Sequence, residues 1–149
     1  MTVVLLHPFP LDARVWGQVA GLLGRKNVVC VDLPGFGSRP RLAVAPSIEA
    51  VAADVWHQVG DVDDPVLVGI SLGGYCAMAM VRQRPVAALA LMDTKVTADT
   101  QEGQANRERL ATHLETGGSM QWYADQALPA LVGATTHAQR PAVVAQVRA

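Results

Sequence analysis

Long apolar runs, cysteines, aromatic residues and an excess of charge of either sign are all scarce in this 149-residue chain. Its uninterrupted apolar stretches fall well short of the roughly 18 residues that a membrane span requires. The opening Met1-Thr2-Val3-Val4-Leu5-Leu6 has no basic lead-in and is stopped by His7 and Pro8, so it does not read as a secretory signal. With 12 basic and 13 acidic residues the formal charge is −1, which gives no electrostatic case for nucleic acid or an anionic membrane as partner. Cys30 and Cys76 fall on an apolar strand pattern and an apolar helix pattern, and both read as small buried thiols. No cofactor or metal is called for, and the cytoplasm is the default location.

What remains is a chain half hydrophobic and long enough to bury a real core as one domain. Val3–Leu6 reads as a buried strand that ends at His7-Pro8-Phe9-Pro10. Asp12 is placed to cap a helix through about Leu23, with Val15, Trp16, Val19, Leu22 and Leu23 on one face and Gly24 at its end. A second strand, Val28–Val31, runs into the turn-forming loop Asp32-Leu33-Pro34-Gly35-Phe36-Gly37. Ser47 caps a helix whose Ile48, Val51, Ala52, Val55 and Val59 keep the 3.6-residue period. A third strand from Val66, an Ala/Met-rich helix closed by Pro85, and a fourth strand at Ala87–Met92 follow. Strands that are apolar throughout, alternating with helices, predict an α/β fold with a parallel sheet covered by helices on both faces.

After Thr94 the pattern changes. Thr97–Gly103 reads as a polar turn, and Ala105–Leu114, Met120–Leu131 and Ala142–Val147 read as helical. No strand pattern returns, so residues 1–94 form one expected unit and 95–149 a helical second one.

The chemistry concentrates at Gly69-Ile70-Ser71-Leu72-Gly73-Gly74, a G-x-S-x-G pattern set between a strand and a helix. A turn this tight brings backbone close to the serine, and a Cβ at Gly69 or Gly73 would clash. Ser71 is expected at the apex, strained, with the positive end of the following helix beneath it. A plain Gly-rich turn is the alternative reading. A dinucleotide-binding unit fits less well, because no Gly-rich loop follows the first strand and the glycines do not keep the required spacing. In parallel sheets ligands bind beyond the carboxyl ends of the strands, and His7–Pro10, Asp32–Gly37, Ser71–Leu72 and Asp93 all fall there.

If Ser71 is a nucleophile for acyl transfer, it needs an oxyanion hole and a general base. The Leu72 amide would supply one donor. Pro8 and Pro10 have no N–H, which leaves Phe9 as the donor within its Pro-Phe-Pro run; the alternative is a proline-stiffened turn in which Phe9 merely packs.

Three ordered motifs, Leu5-Leu6-His7-Pro8-Phe9-Pro10-Leu11-Asp12, Val31-Asp32-Leu33-Pro34-Gly35-Phe36-Gly37 and Gly69-Ile70-Ser71-Leu72-Gly73-Gly74, give the chain its resemblance. It resembles the α/β-hydrolase fold family, and within it the small esterase, lactonase and cofactor-free haloperoxidase-like branch. The resemblance implies Ser71 as nucleophile, Phe9 and Leu72 as oxyanion donors, a small acyl substrate, and residues 95–149 as the start of a helical cap.

Two local departures stand out. Pro8 replaces the glycine usual after the histidine, and Ser38 follows Gly37 directly, without the usual intervening residue. A larger one is that the family resumes its sheet after the cap, where the acid and catalytic histidine normally lie, and this sequence shows neither strand. Asp93 sits where a minority of the family places its acid, or is a turn aspartate. His7 belongs to the oxyanion loop and is expected to fix it by a hydrogen bond, His57 lies on a helix surface, and His113 and His137 lie in the cap, where either would lean toward Ser71 only by accident of packing. Trp122 and Tyr123 either line an acyl pocket or pack in the helical core. Two functional classes remain. One is a serine hydrolase of a small ester, lactone or similar acyl compound; the other is a truncated, non-catalytic chain that keeps the elbow. An incomplete sheet edge also predicts self-association.

Overall fold

The four apolar runs form four parallel strands in the computed structural model, which describes residues 1–24 and 26–148. They are β1 (Val3–Leu6), β2 (Val28–Val31), β3 (Val66–Ile70) and β4 (Ala88–Met92), in the spatial order β2-β1-β3-β4. Leu5 pairs with Cys30 on one side and with Val68 on the other, and Val68 pairs in turn with Ala90. β3 therefore has a strand on each side, and the Ser71 turn leaves from the interior of the sheet.

Between β1 and β2 the chain makes a short 3-10 turn, Ala13–Trp16, and a helix α1 (Gly17–Leu22). Asp12 caps the turn as expected, its carboxylate accepting from the Arg14 amide at 2.9 Å. The expected apolar face is corrected: Trp16 and Ala20 are buried, whereas Val15, Val19, Leu22 and Leu23 are exposed. The tighter first turn changes the phase, and α1 is too short to recover it.

One face of the sheet carries α2 (Ile48–Val59) and α3 (Leu72–Gln83). Val4, Leu6, Val31 and Leu67 from the strands meet Ala52, Val55, Trp56, Cys76, Ala77 and Met80 from the helices. Ser47 accepts from the Ala50 amide to start α2, as its sequence predicts. The Trp56 indole is 2 % exposed, and its N–H donates to the Met80 carbonyl at 3.2 Å, tying the two helices together. Burial pushes the Cys76 thiol up to about 12, so it is an inert core group. Cys30 is only half-buried, which corrects its reading as a core thiol; it stands on an edge strand. The other face buries Leu5, Trp16 and Ala20 outside that cluster, where the 3-10 turn packs on β1 and β2. Every residue of β4 is exposed.

The chain divides into two compact units, Met1–Val96 and a second from Thr97 onward. The second unit holds α4 (Gln101–Glu115), α5 (Met120–Leu131), α6 (Ala134–Gln139) and α7 (Pro141–Arg148). α5 has the predicted bounds. α4 begins inside the expected polar turn, because Thr100 caps it by accepting from the Gly103 amide at 3.1 Å. Its polar start hid it: α4 buries no residue, so no 3.6-residue apolar period marks it. α6 was not expected; it is six residues long and likewise buries none. Among the described residues no helix is long and apolar enough to cross a membrane.

Candidate active site

Ser71 closes β3 and caps α3 with φ 49° and ψ −111°, in the left-handed half of backbone space that a residue with a Cβ seldom occupies. Such a conformation costs on the order of 1–3 kcal/mol and persists only when its surroundings over-determine it. Here they do. The Ser71 amide donates to the Met92 carbonyl of β4 at 3.0 Å, and the Ser71 carbonyl accepts from the Gly74 amide at 2.9 Å. The hydroxyl makes no helix-capping bond and has no hydrogen bond among the described residues.

The three glycines of the motif each answer a close approach. A Cβ on Gly69 would run into the Gly73 carbonyl, and one on Gly73 into the Leu6 carbonyl. Gly73 would also come within 2.8 Å of the His7 carbonyl oxygen. The first turn of α3 thus lies directly on the end of β1, where the His7–Pro10 loop begins. Gly74 leaves room for the Thr94 side chain. Thr94 was not singled out from the sequence; its hydroxyl donates to the Met92 carbonyl at 2.9 Å and lies 3.5 Å from the Ser71 carbonyl. The second glycine of the Gly73-Gly74 pair was the available signal, since a motif that needs only Gly73 gives no reason for it.

His7 is fully buried. Its Nε2 accepts from the Leu33 amide at 3.0 Å, so the ring proton sits on Nδ1, which donates to the Pro8 carbonyl at 3.0 Å. Burial holds its pKa below the ordinary histidine value of 6.5, against the opposing pull of the Pro8 carbonyl, Asp32 and Asp12. The ring therefore bridges the loops after β1 and β2. Phe36 packs edge-on to it at 5.2 Å, and Phe9 packs against Phe36 at 6.0 Å. The chain's two phenylalanines, distant in sequence, meet at this corner.

Asp32 organises the second loop. Its carboxylate accepts from the Ala13 amide at 2.9 Å, from the Ser38 amide at 2.9 Å and from the Ser38 hydroxyl at 3.0 Å. Partial burial opposes its charge, but these donors prevail and hold its pKa below 3.8. Gly37, at φ 51°, lies so close to this carboxylate that a side chain there would collide with it. The placement of Ser38 directly after Gly37 is thereby explained: it puts both an amide and a hydroxyl on Asp32. Arg39 pairs with Asp54, and Gln58 donates to both Asp54 and the Asp32 carbonyl, which fastens the loop to α2.

Leu72 is the first residue of α3, so its N–H has no acceptor within the helix. Asp93 follows β4 at φ 45° and is exposed, and its carboxylate has no hydrogen bond or ion pair among the described residues. His57 is exposed on α2. In the second unit the His113 ring lies on Trp122 at 4.0 Å, and His137 Nε2 faces the Leu128 carbonyl at 3.3 Å. No histidine among the described residues is hydrogen-bonded to Ser71.

A model of the alpha/beta hydrolase family matches residues 3–149. A thermophilic esterase from Thermogutta terrifontis superposes with a TM-score of 0.85 at 32% identity, over 99% of this chain and 56% of that one. A pimeloyl-[acyl-carrier protein] methyl ester esterase of Methylococcus capsulatus is 39% identical over 94 residues, covering 60% of this chain and 35% of that protein. The lipase LipV of Mycobacterium tuberculosis is 35% identical over 102 residues, covering 65% of this chain and 38% of its own length. The chain thus spans little more than a third of these two curated relatives and 56% of the solved esterase. A strand–serine–helix elbow in a parallel sheet, a family match over almost the whole chain and esterase-like relatives lead to one conclusion: the chain belongs to the alpha/beta hydrolase family.

Proposed function

We propose that the chain carries the nucleophile and oxyanion hole of a serine hydrolase acting on a small ester, lactone or similar acyl substrate. The conformation of Ser71 carries this reading: a strained serine at the carboxyl end of an interior strand, with its hydroxyl unspent. Attack by Ser71 Oγ on the acyl carbon forms an oxygen–carbon bond and places negative charge on the carbonyl oxygen. The Leu72 and Phe9 amides are the donors for that charge, Leu72 because helix geometry leaves its N–H outward. Collapse expels the alkoxide and leaves an acyl-enzyme, which water then cleaves. The esterases and the lipase among the relatives favour a carboxylic ester over other acyl compounds.

The Ser71 proton needs a base, and no histidine among the described residues is hydrogen-bonded to Ser71. This observation favours a second reading, in which the 149 residues keep the elbow without efficient turnover. Asp93 is the proposed acid, from its place at the end of the strand beside β3. The test is purified protein treated with an alkyl fluorophosphonate and assayed on p-nitrophenyl esters, beside Ser71→Ala. Phosphonate found on Ser71 by peptide mass spectrometry supports the nucleophile. Turnover of about 1–10³ s⁻¹ that vanishes in Ser71→Ala supports a competent enzyme. Labelling with only residual turnover supports the second reading. Absence of label on Ser71 together with turnover unaffected by Ser71→Ala overturns both.

A further inference from the structure

We propose that His7 is a positioning residue that aims the Phe9 N–H, an inference that rests on reading Phe9 as an oxyanion donor. The Pro8 carbonyl and the Phe9 N–H belong to one peptide unit. That unit is trans, so the two groups point in opposite directions and fixing one fixes the other. The Pro8 ring already locks φ, which leaves rotation about Pro8 ψ as the freedom that swings the plane. The imidazole removes that freedom. Nδ1–H holds the Pro8 carbonyl at 3.0 Å, supported by the Leu11 amide at 3.0 Å. The ring itself cannot turn, because Nε2 is engaged by the Leu33 amide and the whole side chain is buried against Phe36.

The arrangement links the oxyanion loop to the loop after β2. Asp32, which closes that second loop on Ser38, stands next to Leu33 in the chain. His7 touches no reacting atom in this account; it acts through the Pro8–Phe9 peptide. Its two hydrogen bonds can be separated by substitution. In His7→Asn the carboxamide nitrogen stands where Nδ1 stood, so the bond to Pro8 is kept and that to Leu33 is lost. In His7→Gln the longer side chain reaches the place of Nε2, keeping Leu33 and losing Pro8.

The test uses the full chain, the two variants and Ser71→Ala. Three readouts are taken: melting temperature, the Phe9 amide resonance, and the rate at which an alkyl fluorophosphonate modifies Ser71. The Phe9 resonance should move in His7→Gln and stay near wild type in His7→Asn. The modification rate should fall by about tenfold or more in His7→Gln and by less than about threefold in His7→Asn. Equal rates in the two variants, or losses that follow melting temperature alone, overturn the proposal. If Ser71 in the wild type is never modified but the Phe9 resonance still separates the variants, the nucleophile reading fails while the aiming role is supported. If neither variant folds, the imidazole nitrogen spectrum of the wild type decides: a proton on Nδ1 supports the bridge, and one on Nε2 overturns it.

Discussion

Ser71 and His7 depend on opposite kinds of environment. Ser71 is held in a costly backbone conformation by hydrogen bonds to its neighbours, while its own side chain is left unused. His7 has both ring nitrogens engaged in a site that rejects charge. The acid sensitivity of the fold follows. In the unfolded chain His7 titrates near 6.5, and in the folded chain below it. Its contribution to stability is complete above that value and declines as the pH falls below it, because the unfolded chain then binds the proton first. Asp32 and Asp12 are the charged groups that oppose the shift, and they stay ionised across that range. Urea unfolding between pH 8 and 5 should show stability falling below about 6.5 in the wild type, and a flatter profile in His7→Asn. Equal slopes would refute the assignment. Asp32, whose pKa is depressed, contributes stability above 3.8 that disappears only in stronger acid, so the two effects are separable.

At the scale of elements, the same substitution should have opposite signs at two glycines. Alanine favours helix over glycine by about 1 kcal/mol. Gly17 opens α1 with φ −54° and has nothing within 4 Å of the position a Cβ would take, so Gly17→Ala should stabilise by up to about that amount. Gly73 lies on the Leu6 backbone, where a methyl group must displace α3 or β1. Gly73→Ala should therefore lose about 2 kcal/mol or more despite its better propensity, as measured by urea unfolding. β1, β2 and β3 were legible as short apolar runs and α2, α3 and α5 as apolar helical segments; β4 was legible from its apolar run too, although each of its residues is exposed. α6 was not, and α4 was placed too late, since neither buries a residue and so neither is written in apolar spacing. Within the site, the Ser71 turn could be read because its glycines report backbone constraint directly. Thr94 and the Arg39–Asp54–Gln58 set could not, because each acts through a partner distant in sequence.

For the molecule as a whole, the asymmetry of the sheet matters. β3 is interior, whereas β4 is an edge whose Leu89, Leu91 and Met92 are 38%, 37% and 47% exposed. An edge that is apolar and unpaired on one side invites a second chain. We propose that the 149-residue protein self-associates there, and that Leu91→Lys suppresses it. Sedimentation velocity across a concentration series is the measurement: a concentration-dependent shift in the wild type that Leu91→Lys removes is the expected result. A wild type that sediments as a monomer throughout would discard the idea.

The contact of Gly73 with the end of β1 bears on how such a chain can change over generations. The gap between the serine turn and the end of β1 is set by two main chains touching, with no side chain between them. Ala77 lies about one helical turn beyond Gly73 on α3 and is buried in the core, so a larger side chain there would press on the same contact. Substitutions that enlarge the interior beneath α3 therefore meet the same limit as a side chain on Gly73, because the two main chains have no slack to give.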